Sequence, residues 1–153
     1  MSKSTLDLSL HDVKYYSADG VFQIKVPIED QTLEMGLQWN EEDRTKITFN
    51  IYLSLYNKRK HIGINEDKKL STGKYPFMTY KVALKCFELL EQACLKEKEF
   101  QDKDILIYCH WVDNRRRNAY YSVLHKQGYN YMMYKNQKVI GKWFRKEERV
   151  YES

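Results

Sequence analysis

The chain changes its hydrophobic period part-way along, and that change limits what it can fold into. Up to residue 55 the apolar positions fall on alternate residues, and from residue 77 they fall at helical spacing. The clearest alternation is Ile47, Phe49, Ile51, Leu53 and Leu55, interleaved with Thr48, Asn50, Tyr52 and Ser54. It predicts a strand with one buried face and one polar face. Leu33, Met35, Leu37 and Trp39 precede it in the same pattern, and the polar segment 40–44 predicts the turn between the two. Phe22, Ile24, Val26 and Ile28 alternate likewise after Asp19-Gly20, a favoured hairpin pair. Leu6, Leu8 and Leu10 predict one more strand at the start, and His61-Ile62-Gly63-Ile64 a short strand or a strand end.

In the second half Phe77, Tyr80, Leu84, Phe87, Leu90 and Cys94 form a helical stripe that Val82, Ala83, Cys86 and Leu89 widen. A helix from Phe77 to Phe100 lying deep against a sheet is the expectation. Pro76 suits its first turn and Lys96-Glu97-Lys98-Glu99 its solvated end. The unbroken apolar run Ile105 to Trp111 predicts a central strand covered on both faces. Asp113 or Asn114 caps a second helix through Ala119, Tyr120, Val123 and Leu124, which Gly128 ends. Residues 129–134 and 139–144 predict a hairpin around Lys135-Asn136-Gln137-Lys138. The sum is one α+β domain with a mostly antiparallel sheet: a strand meander over 5–64, then a helix–strand–helix–hairpin unit over 72–146.

Composition narrows the partners without naming one. The chain has 153 residues, of which 42% are hydrophobic and 31% charged, as in ordinary soluble globular proteins. No apolar run approaches the roughly 20 residues that span a bilayer, and no signal peptide opens the chain, so a cytoplasmic protein without a membrane partner is expected. The net charge of +5 comes from 26 basic residues interleaved with 21 acidic ones, which admits an anionic partner without requiring it. Cys86, Cys94 and Cys109 form no C-x-x-C pair, so reduced, buried thiols are expected, with no disulfide framework and no metal site. Oligomeric state is not readable from these features.

Ser71-Thr72-Gly73 precedes the long helix. Asp113-x-x-Arg116-x-x-x-Tyr120 opens the second helix, and Lys126-Gln127-Gly128-Tyr129 ends it. Together with the element order β-α-β-α-β-β, these words resemble the GNAT (acetyltransferase-like) fold over roughly residues 45–145. They are similar to those of small phage-encoded GNAT-like proteins. The resemblance implies that an acyl-CoA pyrophosphate would lie on Lys69, Ser71, Thr72, Gly73 and Lys74. It further implies His110 as general base and Tyr120 or Tyr121 as general acid. Departures accompany it. The loop 68–76 holds a single glycine where the family has [QR]-x-x-G-x-[GA], and Pro76 removes a donor N–H. Leu124 stands where many members carry an acid tyrosine, and strands replace the N-terminal helix pair that shapes the acceptor site.

These departures make a phage-type GNAT-like protein without catalysis the leading expectation. It would bind a host or phage macromolecule, most simply a protein in the host cytoplasm, and use no cofactor. A diverged N-acyltransferase using acetyl-CoA is the alternative. Nucleic-acid binding is a third, from two basic clusters. Arg115, Arg116 and Arg117 fall in the first turn of a helix, where each opposes the helix dipole by about 0.3–1 kcal/mol. They suit an anion clamp, or equally salt bridges to Asp113 on a solvated face. Lys58, Arg59 and Lys60, with Lys68, Lys69 and Lys74, interleave with Tyr56, Tyr75 and Tyr80 as in single-strand binders, or form a solubilising loop. His11, His61 and His125 have no evident partner. The polar face Thr48, Asn50, Tyr52, Ser54 and Tyr56 is a protein-binding surface or a wet one. An open splay between the strand ending near Ile64 and strand 105–111 would favour the enzyme, and one filled by side chains the binder.

Overall fold

The computed structural model describes residues 7–57, 75–111 and 114–149. Period-two patterning gives the first half its form. Strands β1 (Lys14–Tyr16), β2 (Val21–Ile28), β3 (Gln31–Glu42) and β4 (Lys46–Asn57) lie side by side, each antiparallel to the next. Helix α1 (Pro76–Lys96) follows, then β5 (Asp104–Cys109), helix α2 (Asn114–Leu124), β6 (Asn130–Tyr134) and β7 (Gln137–Phe144). The seven strands make one sheet in the order β1-β2-β3-β4-β5-β7-β6. Only β4 and β5 pair in parallel. The architecture is therefore α+β, with a mostly antiparallel sheet and two helices.

Alternation places Ile47, Phe49, Ile51 and Leu55 of β4 on the helix-covered face, with Phe22, Ile24, Val26, Leu33, Met35 and Leu37 from β2 and β3. The buried residues of α1 that meet this face are Thr79, Val82, Ala83, Cys86, Phe87, Leu89, Leu90 and Cys94. That stripe is rotated from the expected one. Phe77 lies in the first turn on the solvent side and is 85% exposed. The helix ends at Lys96, and a separate 3-10 turn (Lys98–Phe100) carries Phe100 back into the core. There Phe100 meets Phe49 at 5.4 Å and Phe22 at 6.2 Å between ring centres, while Tyr15 stacks on Phe22 at 4.2 Å. Each such aromatic pair adds about 0.5–1.5 kcal/mol beyond its buried area.

Four local expectations are corrected. Leu8 and Leu10 do not belong to a strand, and Leu6 lies outside the described residues. Ser9 and Asp12 form a capping box in which the Ser9 N–H donates to Asp12 Oδ2 at 2.8 Å and the His11 N–H to Ser9 Oγ at 3.3 Å. These bonds fold Leu10–Asp12 into a 3-10 turn against the alternation. β3 continues to Glu42, so the turn is shorter than 40–44. Asp43 Oδ1 accepts from the backbone N–H of Thr45 at 2.8 Å and of Lys46 at 2.9 Å, which also holds its carboxyl below the usual range. β5 ends at Cys109 rather than Trp111. The last hairpin turns on Lys135-Asn136 alone, both at positive φ (50° and 65°), the geometry that matches strand twist in a two-residue loop. The candidate strand 61–64 lies outside the described residues.

α2 runs out at Leu124 into a 3-10 turn (His125–Gln127), and Gly128 at φ 88° reverses the chain. A side-chain-bearing residue is strained there, so the expected stop at Gly128 holds. Tyr129 is then buried against Phe87 of α1 at 5.0 Å between ring centres, and its hydroxyl donates to Glu91 Oε2 at 3.4 Å. Burial pushes the Glu91 carboxyl above its ordinary value, partly offset by nearby Lys142 and by the Tyr129 bond. A carboxyl whose folded pKa is raised adds stability only below its unfolded pKa and loses it as pH rises through the folded value. Glu91→Gln is therefore expected to raise the melting temperature at pH 7 and to leave it unchanged below about pH 4. Thermal melts of both proteins across that range check this, and equal melting temperatures at pH 7 would contradict it.

Candidate functional site

The parallel pair β4–β5 stays in register only from Lys46 opposite Asp104 to Asn50 opposite Tyr108. β4 then runs on to Asn57, while β5 stops at Cys109 and pairs on its other edge with β7. Between the parting strands lies a recess of about 200 Å3. Ile51 and Leu53 of β4, Cys109 of β5, Ala83 of α1, and Val123 and Leu124 of α2 give it an apolar wall. Tyr120 also lines it, and Tyr52 and His110 stand on the wall beside them. By alternation Tyr52 and His110 belong to the face of the sheet opposite the helices, so the recess reaches from the helix side toward the open face. β4 and β5 thus part, while the strand end near Ile64, the other side of the splay weighed from the sequence, lies outside the described residues.

The residues proposed for catalysis divide. His110 is the first residue beyond β5; it is exposed and its ring meets that of Tyr108 edge-on at 5.2 Å. Tyr120 is half-buried in the recess wall. Tyr121, one position on, is turned away and stacks between His125 at 4.7 Å and Tyr131 at 4.8 Å. Of the two tyrosines only Tyr120 stands with His110. Leu124 contributes a hydrocarbon wall where an acid is absent.

The basic clusters are only partly visible. Arg115, Arg116 and Arg117 occupy the first turn of α2. Arg117 is half-buried and donates to Asn118 Oδ1 at 3.4 Å, while its buried Nε has no partner among the described residues. Asp113, and with it the expected salt bridge, lies outside the described residues, as do Lys58, Arg59, Lys60, Lys69, Ser71, Thr72, Gly73 and Lys74. His11 is exposed in the 10–12 turn, away from the recess.

At the start of α1 Pro76 sits in the first turn, as its sequence position predicts. Tyr75 stands at its N-cap without a capping hydrogen bond from its side chain, Pro76 follows, and the first turn has no acidic residue. The first helical bond is Thr79 N–H to the Tyr75 carbonyl at 2.8 Å, so the N–H groups of Phe77 and Met78 precede the helical ladder. Thr79 is 3% exposed and its Oγ1 has no partner among the described residues. Ala83 follows four residues later on the same buried stripe, so the donor-rich helix end lies one turn from the recess.

A separate polar cluster closes the open face. Glu41 accepts from Tyr134 and Lys135, which holds its carboxyl below the usual range, Lys135 foremost and Tyr134 next. Tyr134 also receives a bond from Asn40 Nδ2 at 3.3 Å and packs on Tyr108 at 4.8 Å. The β6–β7 hairpin thereby folds onto β3 and covers a second small core of Leu106, Tyr108 and Val139. Among the described residues no group of His, Cys, Asp or Glu gathers as a metal site needs, and no helix is long and apolar enough to cross a membrane. No known protein family, curated protein or solved structure matches the chain.

All three cysteines are free and buried. Burial pushes the Cys86 and Cys109 thiols up to about 12 and raises that of Cys94 as well. Because the thiolate is the reactive form, native protein at pH 8 is expected to resist iodoacetamide at all three positions and to react fully after unfolding. Mass spectrometry before and after denaturant checks this, and fast labelling of Cys109 alone would mean that the recess is wider than described.

Proposed function

We propose that this chain is a GNAT-like N-acyltransferase, diverged from the usual family pattern, that holds an acyl thioester such as acetyl-CoA. The observation that carries the reading is the apolar recess between β4 and β5, aligned along α1 with a helix end whose N-cap side chain makes no capping bond. Such a helix end offers N–H groups and a favourable dipole to a phosphate. The residues fit the group. Phe77 and Met78 N–H would take its phosphate, and Ile51, Leu53, Ala83 and Val123 would enclose its apolar arm.

Bound there, the thioester supplies an activated acyl group. The chain's own residues supply the rest. His110 at the edge of the recess accepts a proton from an incoming amine, and Tyr120 in the wall donates one to the departing sulfur. The apolar lining excludes water, which limits loss of the acyl group to hydrolysis.

A second reading has its own support. Leu124 places hydrocarbon where the family carries its acid, which favours a scaffold that binds a thioester or a host or phage macromolecule without transfer. Binding and turnover separate the two. Acetyl-CoA is expected to raise the melting temperature at micromolar concentration, and Ala83→Leu, which fills the recess, to abolish the shift. Absence of any shift at millimolar acetyl-CoA would overturn both thioester readings. Release of free CoA thiol that depends on an added primary amine, lost in His110→Ala, supports the transferase. Binding without release supports the scaffold.

A further inference from the structure

Charge is divided unevenly along the chain. Residues 105–146 hold nine of the 26 basic residues and one of the 21 acidic ones, Asp113. The rest of the chain has more acidic than basic residues, so the whole positive balance lies in the stretch that forms β5, α2, β6 and β7. Some of these cations are engaged: Lys135 bonds to Glu41, Arg145 to Asp104 and Lys142 to the Gln127 carbonyl. Lys126 and Lys138 are exposed and make no ion pair among the described residues.

These two lysines flank a ladder of aromatic rings. β6 is the last strand of the sheet, with one edge unpaired among the described residues. Tyr131 stands opposite Ile140 and Met133 opposite Lys138, so both lie on the helix-covered side of that edge. Tyr131 lies parallel to Tyr121 of α2 at 4.8 Å and 6°, and Tyr121 continues to His125 at 4.7 Å and 22°. Lys138 Nζ is 5.2 Å from the centre of the Tyr131 ring. The ladder reaches solvent: His125 is exposed, Tyr131 is 38% exposed and Met133 64%. Arg117 is four residues before Tyr121 and so on the same face of α2. None of these residues lines the recess.

An acidic peptide would use the cations and gain little from parallel rings. Nucleobases gain from both, because a base adds to a ring stack while its phosphate meets a cation. We infer that the α2–β6 edge binds single-stranded nucleic acid, with bases extending the His125–Tyr121–Tyr131 ladder and phosphates against Lys126 and Lys138. Every base has a π-face, so the surface distinguishes strand state rather than sequence. In a duplex the bases are stacked on one another and offer the ladder no free face.

The test is fluorescence anisotropy of a short labelled oligothymidylate titrated with the full chain over a salt series. Wild type is expected to bind the single strand about tenfold more tightly than the matching duplex. Affinity is expected to fall with salt, and Lys126→Gln and Lys138→Gln each to reduce the log–log slope by about 0.7, the value of one phosphate contact on a single strand. Tyr131→Leu is expected to lose about tenfold in affinity with its slope unchanged, while Tyr131→Phe, which keeps the ring, binds as wild type does. Equal or tighter binding of the duplex, or wild-type affinity in Tyr131→Leu, overturns the inference. So does the absence of binding at low salt, or an unchanged slope in both lysine variants. Both lysines are exposed, so their slopes remain readable even where Tyr131→Leu weakens the fold. Displacement of the oligonucleotide by polyglutamate at equal charge overturns the inference in favour of an acidic protein partner.

Discussion

The parallel pairing of β4 with β5 governs the rest of the architecture. Two parallel neighbours cannot be joined by a tight turn, so the chain must leave the sheet after β4 and cross back to the end where β4 began. α1 lies in that crossover, and its broad apolar stripe covers β2 and β3. β5, so placed, has one edge on β4 and the other on β7. The pairing with β4 lasts five residues and stops, because the chain beyond Cys109 leaves the sheet for α2 while β4 continues. α1 and α2 then meet beneath the parted strands, and the recess is what their side chains leave unfilled.

What was legible in the sequence follows from how local each cause is. β2, β3 and β4 show a period of two because one face is buried along their whole length, and β5 shows an unbroken apolar run because both faces are. The leucines near the start alternate equally well, yet Ser9 and Asp12 bond to the backbone and win over that pattern. The orientation of α1 needed the sheet. Phe77 and Thr79 differ little as helix residues, but the first faces solvent and the second the core. Tyr120 and Tyr121 are adjacent, and only packing against Tyr131 and His125 decides which one turns from the recess. Asn50 was readable as one polar residue among several on a strand face. That its Oδ1 is buried without a partner among the described residues depends on the register of three strands, which a single sequence does not display.

The site combines features that arise separately. An apolar cavity alone would suit many small molecules, and an uncapped helix end alone would attract any anion. Here the two lie about one turn apart along the stripe of α1 that buries Thr79 and Ala83. The open face contributes the opposite chemistry, with hydroxyls and amides that are almost all satisfied internally. The Glu41–Tyr134–Lys135 cluster fastens the β6–β7 hairpin across that face, away from the recess. The scaffold around the parted strands is thereby held from the side where no helix packs.

The short β4–β5 join has a consequence for how the molecule assembles. β1 to β4 are linked in series by tight turns, so their contacts close small loops at little entropic expense. Lys46 and Asp104 are far apart in the chain, and bringing them together closes a long loop for only five residue pairs. That seam is the least locally supported join in the sheet. A molecule lodged between the parting strands would touch β4, β5 and both helices at once, so occupancy and completion of the fold would be two descriptions of one event.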